Sequence, residues 1–201
     1  AYTHGNTLLT IKRANRYFPV MAPILKRNGI SEDSFKSGKK LGHIDIAYHT
    51  FGRLNESHSN VIWVCHALTA NSDVADWWPH TVESGRFLDP EKYFVVCANV
   101  LGSHYGTTGP LSTDPLTGEP YYGDFPEFTV RDIVNVHRLL AMHLGIVSVE
   151  LLIGSSLGGF QCMEWCVMAA GGSVVCSACV IISLRQIVGS AAPVAEQRYA
   201  P

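Results

Sequence analysis

The chain has 201 residues, 47% of them apolar and 16% charged, so it can bury a sizeable core and is not a disordered tail. Its 15 Lys and Arg stand against 17 Asp and Glu, a formal charge of -2, which gives neither the basic footprint of a nucleic-acid binder nor a polybasic membrane patch. The longest apolar stretch, Val174 to Leu184, is broken by Ser177 and Ser183 and falls short of the roughly 20 residues of a membrane helix. The opening Ala1-Tyr2-Thr3-His4 lacks the basic-then-apolar layout of a secretory signal, so a soluble, cytoplasmic protein is expected.

Residues 1–40 show no clear periodicity: a basic stretch (Lys12, Arg13, Arg16), then Phe18-Pro19-Val20 and a polar Ser31–Lys40 segment. They read as an N-terminal arm, with residues 41–201 as one core domain. His43 to Thr50 alternates apolar and polar residues, as a half-buried strand does. Turn chemistry follows from Gly52 to Asn60. Val61-Ile62-Trp63-Val64-Cys65 and Phe94-Val95-Val96-Cys97-Ala98 are continuous apolar runs, the mark of strands covered on both faces. Leu101 to Gly123 is a long loop dense in Gly, Pro, Ser and Thr.

A helix is then predicted behind the cap signal Thr129-x-x-Asp132, with Val130, Ile133, Val134, His137, Leu140, Ala141 and Leu144 at helical spacing and Gly145 as its stop. Val149 to Ile153 is a third buried strand, Gly154 to Gly159 a tight turn, and Leu157 to Met168 a helix with Phe160, Met163 and Val167 along one side. Gly171-Gly172 stop it, and Val174 to Ile182 is a further strand. Strands and helices alternating through short connections predict an α/β fold: right-handed crossovers and a mostly parallel sheet with helices on both faces. The six cysteines, including Cys176-x-x-Cys179 inside an apolar segment, read as reduced thiols and small hydrophobes, with no second pair to complete a metal site.

Gly154-Ser155-Ser156-Leu157-Gly158 matches G-x-S-x-G. Its placement gives the letters meaning: it follows a strand and opens a helix, as a nucleophile elbow must. Ser156 would occupy a strained turn, and Gly154 and Gly158 would remove side chains that collide with strand and helix. The hydroxyl would then stand at a helix N-terminus, where free amides favour a developing oxyanion. A phosphate-binding turn is the alternative, but a P-loop needs Lys after the last Gly, where Phe160 stands, and G-x-G-x-x-G is absent. His66-Ala67-Leu68-Thr69 ends the Val61–Cys65 strand, at the carboxyl edge where parallel sheets bind ligands. The backbone amides of Leu68 and Leu157 are therefore the expected oxyanion donors, with His66 in a supporting role. Trp77-Trp78 and the Leu101–Gly106 loop read as pocket walls or packing.

At this point the chain resembles the homoserine O-acetyltransferases, acyltransferases of methionine biosynthesis on the α/β-hydrolase fold. The resemblance is carried by Ile46 to Asn55, Cys65-His66-Ala67-Leu68-Thr69, Asn99-Val100-Leu101-Gly102-Ser103, Thr108-Gly109-Pro110, Asp124-Phe125-Pro126, and Gly154 to Gln161 with Glu164-Trp165. It implies that Ser156 takes an acetyl group from acetyl-CoA, a co-substrate rather than a resident cofactor, and passes it to the hydroxyl of L-homoserine. It implies no metal, and a homodimer for the full-length enzyme. Related members use succinyl-CoA or act on serine. The family's order is Ser, Asp, His with a helical lid between, whereas here the last histidine is His143 and only Glu196 is acidic after Glu164. The expectation is thus an incomplete α/β-hydrolase core, truncated before the last strands and the lid, and inactive alone because the catalytic Asp and His are not in it. The alternatives are an esterase or thioesterase with the same elbow, or a catalytically dead α/β fragment with an exposed apolar edge.

Overall fold

The computed structural model describes residues 16–21, 41, 43–169 and 175–182. Six strands form one mixed sheet: β1 (Arg16–Met21), β2 (His43–Phe51), β3 (Val61–Cys65), β4 (Phe94–Ala98), β5 (Ser148–Ser155) and β6 (Val175–Ile182), in the spatial order β1-β2-β4-β3-β5-β6. Among the described residues three α-helices accompany them: the four-residue α1 (Val74–Trp77), α2 (Val130–His143) and α3 (Leu157–Ala169). A short 3-10 turn spans Tyr122–Asp124.

The three pairings among β4, β3, β5 and β6 are parallel, as the alternating pattern predicts. The other two are not: β2 runs antiparallel to β4, and β1 antiparallel to β2. β1 lies inside the stretch read as an arm, where Pro19 obscures the strand signal. Proline lacks an amide donor and is confined to edge strands and bulges, and β1 is the edge strand here.

The sheet separates two clusters of buried side chains, and the alternation along β3 and β4 assigns residues to each. Trp63, Phe94, Val96 and Ala98 join Ile133, Val134, Leu140 and Trp165 of α2 and α3 on one face. Ile62, Val64, Val95 and Cys97 join Val74 and Leu88 on the other, with Trp77 and Trp78 packed alongside. Among the described residues, then, both full-length helices share one face, and the opposite face is covered by α1 and the loop that follows it. Chain direction explains this. β3 connects leftward to β4, whereas β4 to β5 and β5 to β6 progress the other way, and crossovers of one hand then fall on opposite faces. Every residue of β3 and β4 is buried, and each aliphatic side chain so placed contributes about 1.5–3 kcal/mol.

The predicted cap of α2 is present in both directions. The Thr129 hydroxyl accepts from the Asp132 amide, and the Asp132 carboxylate accepts from the Thr129 amide at 2.6 Å. At the other end Gly145, at φ 73°, donates to Met142, and Ile146 donates to Ala141, the paired bonds of a Schellman stop. In α3 the stripe of Phe160, Met163 and Val167 points outward, each more than half exposed, while Gly158, Gly159, Gln161, Cys162 and Trp165 face the sheet. Gly158 lets the first turn of the helix lie close to β3, and Trp165 fills the space further along. Arg131 and Glu164 join α2 to α3 at 2.6 Å. Cys65, Cys97 and Cys162 are buried and Cys166 is exposed, whereas the side chains of Cys176 and Cys179 lie outside the described residues. Among the described residues no helix is long and apolar enough to cross a membrane.

Candidate active site

Ser156 joins β5 to α3 and is exposed, with its backbone at φ 52°, a left-handed conformation that costs a residue with a Cβ about 1–3 kcal/mol. The two glycines keep the turn closed. A Cβ on Gly154 would sit 2.5 Å from the Gly158 carbonyl and 3.0 Å from Cys162 Sγ. A Cβ on Gly158 would overlap the Cys65 carbonyl. Gly154 therefore makes room for the helix, as expected, but Gly158 makes room for the neighbouring strand β3 rather than for its own. The Ser156 carbonyl accepts from Gly159 and Phe160, so the residue caps α3 from outside.

Register puts the second loop beside the first. Cys65 pairs with Gly154, so residues 66–69 leave β3 at the height where the elbow leaves β5. The segment after β3 turns toward β4, and α3 turns toward β6, which makes this crevice the topological switch point of the sheet. Leu157 is the first residue of α3, where an amide has no intrahelical partner. Among the described residues neither its amide nor that of Leu68 donates to another group.

His66 is fully buried and both ring nitrogens are used. Nε2 accepts from the Val100 amide at 3.1 Å, so Nδ1 carries the proton and donates to the Ala67 carbonyl at 2.7 Å. Burial lowers its pKa, against the opposing effect of the Ala67 bond. A neutral ring with no free nitrogen supports a loop and cannot serve as general base. Gln161, also fully buried, donates to the His66 carbonyl at 3.3 Å and the Leu157 carbonyl at 3.4 Å, joining the two loops. Among the described residues no histidine bonds the Ser156 hydroxyl.

A third loop completes the crevice. Beyond β4, Thr107 and Thr108 continue the pairing of β2. The Thr107 hydroxyl accepts from Ala47 at 3.0 Å and donates to the Asn99 carbonyl, and the Thr108 hydroxyl accepts from Asp45 at 2.8 Å. This stitching explains the Asn99-to-Pro110 motif, whose adjacent threonines gave no hint of a role in the sequence alone. Gly102, at φ 83°, allows the Phe128 ring to close over it. The result is a crevice of about 570 Å³ lined by Leu68, Thr69, Leu157, Val100 to Tyr105, Phe128, Val130 and Ile133. Trp77 and Trp78, stacked at 5.9 Å, line a separate cavity of about 310 Å³ with Ser155, on the other side of the strand ends.

Beneath the elbow lies a second buried imidazole. His137 of α2 packs 5.9 Å from the Trp63 ring and donates from Nε2 to the Asn99 carbonyl at 3.3 Å. Burial pushes its pKa down to about 4, with the Asn99 bond opposing and nearby His66 adding to the fall. The native state then holds fewer protons than the unfolded chain between the ordinary value of 6.5 and about 4. Stability is full above that window and is lost as pH falls through it, by about 3 kcal/mol for a shift of this size. Urea midpoints measured across the window should show this slope, and His137→Gln should reduce it, leaving the share of other buried rings such as His66; an unchanged slope would show that the His137 ring titrates normally.

Known proteins resemble this chain in sequence and in fold. Over 128 residues the chain is 53% identical to a homoserine O-acetyltransferase of Chlorobaculum tepidum, a match covering 64% of this chain and 36% of that relative. The chain thus spans little more than a third of the length of such a relative. Among solved structures, homoserine O-acetyltransferase from Bacillus anthracis is 28% identical with a TM-score of 0.66, covering 84% of this chain and 46% of that one. Esterase E22 is 29% identical with a TM-score of 0.63, covering 79% and 45%. Residues 60–196, more than half of the chain, match the alpha/beta hydrolase fold family. With a left-handed serine between strand and helix at the switch point of such a sheet, the chain belongs to the α/β hydrolase fold family.

Proposed function

We propose that Ser156 is the nucleophile of an acyl transfer in which an acetyl group passes from acetyl-CoA to the hydroxyl of L-homoserine. The observation that carries this reading is the exposed Ser156 on a left-handed turn next to the Leu157 amide, with Cys65 paired to Gly154 so that the loop bearing the unengaged Leu68 amide leaves the sheet beside it. In the first half-reaction the serine oxygen attacks the thioester carbonyl, the carbon–sulfur bond breaks, and coenzyme A leaves with the serine's proton. In the second, the homoserine hydroxyl attacks the acyl-serine, the serine ester bond breaks, and the proton returns to Ser156. Each tetrahedral intermediate carries its charge on the former carbonyl oxygen, where the two amides donate; one such donor is worth about 3 kcal/mol.

The Ser, Asp, His order that the resemblance implies would put the base and its orienting carboxylate after Ser156; no histidine follows His143 in these 201 residues, and His66 has no free nitrogen to take the role. The likeness to homoserine O-acetyltransferases supports the choice of donor and acceptor. A second reading is ester hydrolysis, supported by the comparable likeness to esterase E22. The two differ in whether water reaches the acyl-serine. Coenzyme A release from acetyl-CoA, followed with and without L-homoserine in the protein as its gene encodes it, separates them. Transfer predicts release that depends on the alcohol and yields O-acetylhomoserine; equal release in its absence would sink the transferase reading.

A further inference from the structure

The loop that presents the Leu68 amide is held at two ends, and the second holding point lies on β2. At the near end the His66 ring fixes Ala67 and Val100, as described above. At the far end His49 Nδ1 lies 3.0 Å from the hydroxyl of Ser72 and its Nε2 lies 3.9 Å from the Asp73 carboxylate. Burial lowers the pKa of His49, opposed by the charge of Asp73 and by the Ser72 backbone. The ring thus bonds the Ser72 hydroxyl through Nδ1 and turns Nε2 toward the carboxylate, which faces it without closing a hydrogen bond. Phe51 stacks on the imidazole with ring centres 6.3 Å apart.

A serine, a histidine and an aspartate in a row suggest a second catalytic triad, but burial excludes it. Ser72 is 1% exposed, and the nitrogens are used in the reverse of the triad order, with serine on Nδ1 and the acid on Nε2. What the cluster does is hold a loop. Between its two ends, Leu68 projects a side chain that is 70% exposed, so packing does not fix its position. A turn bond from Ala70 to Ala67 and the bond from the Trp77 indole to the Asn71 carbonyl tie the segment from 67 to 77 together between those ends.

We propose that His49 is a positioning residue for the Leu68 amide, anchoring the far end of the oxyanion loop to β2 through Ser72 and Asp73. This rests on the acyl-transfer reading of the site. An oxyanion donor acts mainly in the transition state, and misplacement of about 1 Å costs up to about 100-fold in rate. His49→Phe keeps the ring and deletes both polar contacts. In the protein as its gene encodes it, H49F should lower kcat about 10- to 100-fold while KM for acetyl-CoA stays within about twofold. His49→Asn, whose carboxamide can either accept from or donate to the Ser72 hydroxyl, should recover most of the loss. Ser72→Ala should reproduce H49F and carries the test if that variant does not fold. H49F turning over at the wild-type rate overturns the proposal and leaves acyl transfer standing, as does a loss that H49N does not restore or S72A does not share. Wild-type protein without turnover overturns both.

Discussion

Ser156→Ala should abolish acyl transfer, by a factor on the order of 10⁴–10⁶, while leaving the fold and its stability nearly unchanged. The two halves of that expectation have separate causes. The residue is exposed, so removing one oxygen opens no cavity, and alanine meets the same backbone strain at φ 52° that serine does. The chemistry has no substitute for the hydroxyl: without it no acyl-enzyme forms, and the amides of Leu68 and Leu157 can stabilise only direct attack by the acceptor. The adjacent Ser155 supplies the control. It lines the cavity with Trp77 and Trp78, away from the crevice of Leu68 and Leu157, so Ser155→Ala should stay within a few-fold of wild type. Coenzyme A release rates for both variants, with denaturant midpoints to show that each is folded, decide between the serines. Loss of activity in the Ser155 variant alone would move the nucleophile one residue upstream.

Gly158→Ala should destabilise the protein by about 3 kcal/mol, the upper end of what overpacking costs. Propensity alone points the other way, because glycine to alanine within a helix normally favours the helix by about 1 kcal/mol. Here the new methyl would overlap the Cys65 carbonyl and approach the His66 carbonyl at 3.1 Å, both backbone atoms at the end of a central strand. Neither can rotate aside as a flexible side chain could, so α3 must lift away from β3. That movement would carry the Leu157 amide with it and separate it from Leu68, so activity should fall along with stability. Urea unfolding at unchanged m isolates the stability change. A variant more stable than wild type would mean that α3 does not approach β3 as described.

The sequence by itself determined most of the sheet strands, the two long helices and the turn that carries Ser156. The strands β3 and β4 match the apolar runs residue for residue, because a strand covered on both faces has no polar positions to blur its ends. The Thr129–Asp132 cap and the Gly145 stop delimited α2 for a similar reason: each depends on bonds within a few residues. The elbow was legible because its glycines bracket a local turn. Tertiary structure decided what depends on neighbours distant in the chain. β1 was hidden because an edge strand containing proline shows no alternation, and its direction, like that of β2, is set by pairing rather than by pattern. The outward turn of Phe160, Met163 and Val167 was not legible from their apolar character, because the contact of Gly158 with β3 and the burial of Trp165 decide which side of α3 faces the sheet. The engagement of both His66 nitrogens and the threonine stitching of the Asn99 loop required register, which brings Val100 to the ring and Asp45 and Ala47 to the hydroxyls. A side chain's chemistry is written in its own letter, but whether that chemistry is free to act depends on partners that only the folded sheet supplies.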